Sequence, residues 1–306
     1  MGRYAAIDIG TNSVLLLVAE KDAAGRWQAV EERAEITRLG KGVDQSRRLS
    51  AEAMELTLEV LTRFATEARA LGAAAIAVSA TSAARDASNG PEFLAAVKTR
   101  AGLTVEILPG DEEARLSFAS AHADFGGDGS LVVIDIGGGS TEFIFGDASG
   151  AISFRKSFDV GSVRLTERFV TSDPPAAAEV SAIEALVTET FAGLPPPPAR
   201  FRFVGVAGTV TTLCAVARRI EPYDPVLVHG AELTFAEIES TTQRLAHLPV
   251  ALRRTLPGLQ PKRADVIVAG GLILRAACTR LGAKSVVVSD RGLRWGLLAD
   301  RFGKAP

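Results

Sequence analysis

The segment Ile7-Asp8-Ile9-Gly10-Thr11-Asn12-Ser13 returns 127 residues later as Ile134-Asp135-Ile136-Gly137-Gly138-Gly139-Ser140, with five of the seven positions identical. Each copy follows a short apolar run, at 4–9 and 131–136, and precedes another, at 14–18 and 142–145. Each therefore reads as a β-hairpin whose turn is rich in Gly, Asn and Ser. Such residues suit hairpin turns for geometric reasons alone. An aspartate at the end of each leading strand is not something a turn needs, and the matched pair marks a duplication. A chain built this way folds as two similar α/β domains.

The length of 306 residues fits two domains, and 47% hydrophobic against 23% charged residues is the balance of a chain that buries a core. With 34 Lys plus Arg against 36 Asp plus Glu, the net charge of −2 gives no field that would attract a polyanion, so any anion site must be built locally. Cys214 and Cys278 are the only cysteines and sit in apolar stretches without CxxC or Cys/His spacing. A reducing compartment, the cytoplasm, is expected. The first residues enter a strand that already contains Asp8 and Asn12, unlike a signal peptide, and no apolar run reaches membrane-spanning length.

Ser50 is placed to cap a helix running to about Leu71 and stopped by Gly72, with Met54, Leu58, Leu61, Ala65 and Ala68 on one face. A strand at 74–78, a polar turn at 79–85, a helix after Gly90-Pro91 and a strand at 105–108 follow. Pro109-Gly110-Asp111 then opens a helix that carries Glu112, Glu113 and Arg115. Gly126-Gly127-Asp128-Gly129 reads as the boundary, giving domains 1–125 and 126–306, with the last helix able to pack back on the first domain. In the second half, helices are expected at 176–192, 235–245 and 264–281 and strands at 201–206 and 285–288. The four prolines 195–198 form a stiff spacer.

Turns of Gly, Ser and Thr let backbone N–H groups converge on a phosphate, because no Cβ blocks the approach and hydroxyls can donate as well. Thr11, Asn12 and Ser13 in one turn and Gly138, Gly139, Ser140 and Thr141 in the other are the candidates. An aspartate beside a bound phosphate is repelled unless a cation lies between them, and Mg²⁺ or another divalent cation, held by one or two carboxylates plus phosphate oxygens, resolves the conflict. Asp135 and Glu142 bracket the second turn and are the candidate metal ligands, with Asp8 assisting through water. The plain alternative is that Glu142 is an outward-facing strand residue.

The duplicated Asp-Ile-Gly hairpin resembles the superfamily of acetate and sugar kinases, heat-shock ATPases and actin. Residues 8–13, Gly110-Asp111-Glu112-Glu113-Ala114-Arg115, 135–142 and Gly208-Thr209-Val210-Thr211-Thr212 together resemble one family within it, the exopolyphosphatase and guanosine pentaphosphate phosphohydrolase (Ppx/GppA) family. Val228-His229-Gly230, Pro257-Gly258-Leu259, residues 263–267 and residues 289–294 agree with it as well, so the resemblance spans the chain. It implies two actin-like (ribonuclease H-like) domains with a cleft between them. The activity implied is Mg²⁺-dependent hydrolysis of terminal phosphate from inorganic polyphosphate or of the 5′ γ-phosphate of guanosine pentaphosphate. It places the catalytic glutamate on Glu113, phosphate-loop residues on Asn12, Ser13 and Gly138 to Thr141, metal-associated acids on Asp135 and Glu142, and a phosphate-facing arginine on Arg85. The family's usual Gly-Leu-Arg-Glu-Gly here reads Gly292-Leu293-Arg294-Trp295-Gly296, which removes any role of that glutamate. No adjacent His-Asp pair occurs, and a short two-domain form is expected.

Chemically, Glu113 suits a group that orients and deprotonates the attacking water, since phosphoryl transfer needs positioning and charge neutralisation. Acids in a first helical turn are also favoured by the helix dipole, so Glu112 and Glu113 have a structural alternative. Arg85 can hold phosphate by paired hydrogen bonds or can form an ordinary ion pair. His122, His229 and His247 lack metal-ligand spacing, and no basic-aromatic interleaving suggests a nucleic-acid surface. The partner expected is polyphosphate or guanosine pentaphosphate; homodimer formation stays open. A small-molecule kinase and a non-catalytic sensor are the readings from other classes.

Overall fold

The computed structural model describes residues 2–127 and 129–304. Asp128, inside the stretch read as a boundary, lies outside the described residues. The chain forms two compact units, Met1–Ser120 with Leu293–Pro306 and Ala121–Gly292. The first contains a five-stranded sheet of β1 (Arg3–Ile9), β2 (Ser13–Lys21), β3 (Trp27–Ile36), β4 (Ala73–Ala80) and β5 (Glu106–Ile107), in the order β3-β2-β1-β4-β5. The second contains β6 (Ser130–Ile136), β7 (Thr141–Gly146), β8 (Ile152–Phe158), β9 (Phe201–Val206), β10 (Glu232–Thr234) and β11 (Ser285–Val288), in the order β10-β11-β9-β6-β7-β8.

The two sheets repeat one plan. β1, β2 and β3 form an antiparallel meander and β4 joins β1 in parallel. In the same way β6, β7 and β8 form a meander and β9 joins β6 in parallel. β5 continues the first parallel set and β11 the second, to which β10 adds an antiparallel edge. Two α/β units with one strand order are what the expected pair of similar domains requires.

Local chemistry sets the elements. The Ser50 hydroxyl accepts the Ala53 N–H at 3.2 Å and starts the helix Ala51–Ala70, which buries Leu58, Leu61, Ala65 and Ala68 on one face. Each unit has its own core: Ile7, Ile9, Leu16, Phe64 and Phe93 in the first, and Phe143, Phe191, Val210 and Leu272 in the second. Cys214 and Cys278 are buried as free thiols, and burial pushes Cys278 up to about 12, which removes it as a nucleophile. Among the described residues no helix is long and apolar enough to cross a membrane.

Several expectations need correction. The change of unit falls between Ser120 and Ala121, inside the helix Gly110–Phe125, and not at residues 126–129. The end of that helix is held by the second unit: Arg291 pairs with Asp124 at 2.7 Å, and Arg202 donates to the Phe125 carbonyl at 2.9 Å. The polar stretch 79–85 is the end of β4 plus a short helix, Ser82–Asp86. β3 and β8 had no counterpart in the sequence reading.

Candidate active site

In the first unit three parallel strands end side by side. Thr81 N–H donates to the Ile9 carbonyl at 3.2 Å and Leu108 N–H to the Ala80 carbonyl at 2.9 Å. The turn after β1, the helix Ser82–Asp86 after β4 and the start of the helix Gly110–Phe125 after β5 thus share one sheet edge. This brings Asp8, Thr11, Asn12, Ser13, Arg85 and Glu113 to one end of the unit, the usual place for ligands in sheets of this kind.

The turn itself is closed by Gly10 N–H donating to the Ser13 carbonyl at 2.9 Å. Its other carbonyls face the protein: Thr11 C=O accepts from Gly40 N–H at 2.9 Å, and Asn12 C=O accepts from Thr37 and Arg38 N–H at 3.1 and 3.0 Å. In a trans peptide the C=O and the following N–H point opposite ways, so the N–H groups of Asn12 and Ser13 face the other side of the turn. The Asn12 side chain is 7% exposed, and neither its amide oxygen nor its nitrogen has a hydrogen-bond partner among the described residues. Thr37, a residue that sequence reasoning passed over, adds a buried hydroxyl without a hydrogen-bond partner among the described residues. Buried polar groups are costly unless paired, so an orphan amide in a turn points to a ligand that completes it. Thr11, by contrast, turns its hydroxyl to Ser82 at 2.7 Å and its methyl to Gly40.

Glu113 lies in the first turn of its helix and is 8% exposed. Arg85 donates from Nη1 to the Leu108 carbonyl at 2.8 Å, and the same nitrogen stands 3.5 Å from Glu113 Oε2. The guanidinium is thereby fixed beside the glutamate, so the ion-pair role weighed for Arg85 is present in the structure. Asp8 accepts a long hydrogen bond of 3.4 Å from Ser79, its neighbour on β4.

The second unit repeats the turn. Gly137 N–H donates to the Ser140 carbonyl at 3.0 Å. The Gly137 carbonyl accepts from Ser162 N–H, and the Gly138 carbonyl accepts from Val163 and Arg164 N–H, all at 2.9 to 3.0 Å. Arg164 Nε adds a bond to the Gly139 carbonyl at 2.7 Å. The start of the helix Ser162–Phe169 thus collects the turn's carbonyls, which turns the N–H groups of Gly138, Gly139 and Ser140 to the opposite side. Such a row of N–H groups is an anion nest. The Thr141 hydroxyl corrects one expectation: it gives its hydrogen to the Val160 carbonyl at 2.7 Å, where a buried acceptor has to be satisfied. Gly161, Ser162 and Arg164 shape this turn but lie 20 or more residues from it in sequence, with no local signal beyond a glycine before a helix.

Asp135 and Glu142 are paired across β6 and β7, so their side chains share a face of the sheet. Asp135 is 6% exposed and Glu142 fully buried, and Ser157 on β8 donates to Glu142 Oε1 at 2.6 Å. No cluster of three or more His, Cys, Asp and Glu occurs among the described residues. Two buried carboxylates beside an anion nest nevertheless fit Mg²⁺, a hard cation that takes one or two carboxylates and completes its shell with phosphate oxygens and water.

Several of the remaining motif residues have partners within their own unit. Trp295 is 6% exposed and its indole N–H stands 3.4 Å from Glu32, which also holds Arg294. His229 accepts the Asp290 N–H on Nδ1 at 3.3 Å and sits 3.7 Å from Asp124 through Nε2, tying three segments of the second unit together. The Arg263 guanidinium lies against Gly208, where a Cβ would come within 2.2 Å of it.

Comparison with known proteins identifies the family of the chain. Residues 17–305 match the model of the Ppx/GppA phosphatase family. Exopolyphosphatase 2 of Mycobacterium tuberculosis is 38% identical over 98% of this chain and 99% of its own length. The crystal structure of the Aquifex aeolicus Ppx/GppA family member is 33% identical, with a TM-score of 0.84 over 99% of this chain and 98% of that one. An exopolyphosphatase from Cytophaga hutchinsonii shares the fold, with a TM-score of 0.89 at 24% identity over 99% of each chain. With a family model covering nearly the whole chain and a full-length relative well above 30% identity, this chain belongs to the Ppx/GppA phosphatase family.

Proposed function

We propose that the protein is an exopolyphosphatase: it hydrolyses the terminal phosphoanhydride bond of inorganic polyphosphate and releases orthophosphate. The observation that carries this is the orphan Asn12 amide in a turn whose Thr11 and Asn12 carbonyls are engaged behind it, repeated as a carbonyl-backed turn at Gly138 to Ser140. The full-length relative named for this activity supports polyphosphate over guanosine pentaphosphate, which the same family also includes. Two free buried thiols support the cytoplasm as the compartment.

The residues divide the work. Each turn, in its own unit, offers backbone N–H groups to phosphate oxygens, and in the first the Asn12 amide adds to them. Glu113 accepts a proton from the water that attacks the terminal phosphorus, as the bond from that phosphorus to the bridging oxygen breaks. Arg85, locked to Leu108, stands beside the Glu113 carboxylate and has further donors for a phosphate. Asp135 and Glu142 would hold Mg²⁺, and the cation when bound would neutralise charge on the phosphate oxygens; Asp8 holds the matching place in the first unit's own sheet.

The test is phosphate release from long polyphosphate and from guanosine pentaphosphate, with and without Mg²⁺. Chelation should stop release, and polyphosphate should be the better substrate. Glu113→Gln should lower turnover about 10²- to 10⁴-fold while polyphosphate binding persists, because a general base acts on water and not on the bound chain. Retained turnover would remove Glu113 from the mechanism. A parent protein that binds polyphosphate but releases phosphate from neither substrate would make it a sensor.

A further inference from the structure

Asp135, Glu142 and Ser157 form one row across β6, β7 and β8: Asp135 is paired with Glu142 and Glu142 with Ser157. The duplicated unit supplies an internal control. In the same row of the first sheet Asp8 is paired with Leu15 and Leu15 with Ala34. The plan therefore accepts Leu and Ala at the second and third positions, and nothing in the fold calls for a carboxylate and a hydroxyl there. The second unit nevertheless places a glutamate at 0% exposure and sets a hydroxyl 2.6 Å from its Oε1.

Burying a carboxylate is costly, and one hydroxyl recovers only part of that cost. What the hydroxyl does supply is geometry. Left alone, a glutamate on a strand can rotate its carboxylate about its last bond, since that torsion is broad. With Oε1 held by Ser157, the carboxylate plane is fixed, and with it the place where Oε2 stands. Outer partners of this kind orient metal ligands and typically contribute 10- to 100-fold to metal affinity.

We infer that Ser157 is a positioning residue for the divalent cation, acting through Glu142; the inference rests on the metal reading of Asp135 and Glu142 given above. The alternative is a structural hydrogen bond that merely satisfies a buried acid. The two differ in what they move: a structural bond changes stability, whereas a positioning bond changes cation affinity in a protein of unchanged stability.

The experiment titrates the full-length protein with Mn²⁺ at fixed inorganic phosphate, read by electron paramagnetic resonance, with melting temperature measured on the same samples. Ser157→Ala should weaken Mn²⁺ binding about 10-fold or more. Ser157→Thr, which keeps the hydroxyl, should return the affinity to within a few-fold of the parent. Should Ser157→Ala fail to fold, Ser157→Cys, a much weaker donor, gives the same reading. Unchanged Mn²⁺ affinity in Ser157→Ala, in a series where Glu142→Gln loses it, overturns the positioning role and leaves the metal site standing. Equal affinity in the parent, Asp135→Asn and Glu142→Gln, or no binding by the parent, overturns the metal reading and this inference together.

Discussion

At the scale of single residues, the second turn depends on an approach that only glycine allows. A Cβ on Gly161 would stand 2.4 Å from the Gly138 oxygen and 2.6 Å from the Gly139 carbonyl carbon. Both atoms belong to backbone, which cannot swing away as a side-chain end can. Gly161 is extended, with φ −151°, so an alanine there meets no strain of its own. Any effect of Gly161→Ala must come from pushing the turn. A displacement of the order of 1 Å at a positioning element can cost about 10²-fold in rate. Gly161→Ala should therefore reduce phosphate release by about 10- to 100-fold while costing about 1–3 kcal/mol of stability, as other overpacked positions do. Steady-state kinetics and thermal unfolding on one preparation separate the two, and full activity would show that the turn yields without moving its N–H groups.

At the scale of elements, the last helix, Leu293–Phe302, is fastened to the helix Gly110–Phe125 by charge. Arg115 bonds Glu112 at 2.9 and 2.6 Å and Asp300 at 2.7 Å. The hydrogen bond from Arg115 holds the Glu112 carboxyl below its ordinary range against an opposing effect of burial. For Asp300 burial is the largest influence and pushes upward, but the hydrogen bond and charge of Arg115, with Arg301, outweigh it and leave this carboxyl low as well. A carboxyl lowered in the folded state adds stability above its unfolded pKa and loses it as the pH falls through its folded value. Arg115→Gln should thus be less stable than the parent by no more than about 1 kcal/mol near neutrality, since these groups are partly exposed. The gap should close below about pH 4, the ordinary carboxylate range. Melting curves across pH test this; a gap that persists in acid would assign the effect to packing of the arginine stem.

The elements also show what a sequence discloses. Matched turns, the Ser50 cap and the apolar helix face are local signals, read from a few neighbouring residues, and each is present in the structure. β3 and β8 were not legible, because both are outer strands whose charged residues, Glu31, Glu32 and Arg33 or Arg155 and Lys156, blur the alternation by which strands are recognised. Ser157 lies on β8 and Arg164 at the start of the helix Ser162–Phe169, and their partners on β7 and on the second turn are 15 and 25 residues away. No spacing rule links them.

At the scale of the whole molecule, the chain completes the second unit at Gly292 and then returns to the first. Leu293, Trp295, Leu297 and Leu298 cover Ala6, Leu17, Leu108 and Leu116, so the last segment forms one wall of the first unit's core. Four large apolar side chains at roughly 1.5–3 kcal/mol each give an upper bound of about 6–12 kcal/mol, comparable with the entire stability of a domain. The contact is also close, since a Cβ on Gly296 would stand 2.0 Å from the Leu116 oxygen. Gly296→Ala should cost about 1–3 kcal/mol by forcing the helix outward. Removing residues 293–306 should do more: it strips the wall from β1 and β2 while leaving the second unit's own core of Phe143, Phe158 and Phe191 intact. Hydrogen exchange on the truncated chain should then show amides of β1 and β2 losing protection while those of β6 and β9 keep it. Equal loss in both sheets would mean that the units unfold as one cooperative body, and equal retention would mean that the last helix only decorates a core already complete without it.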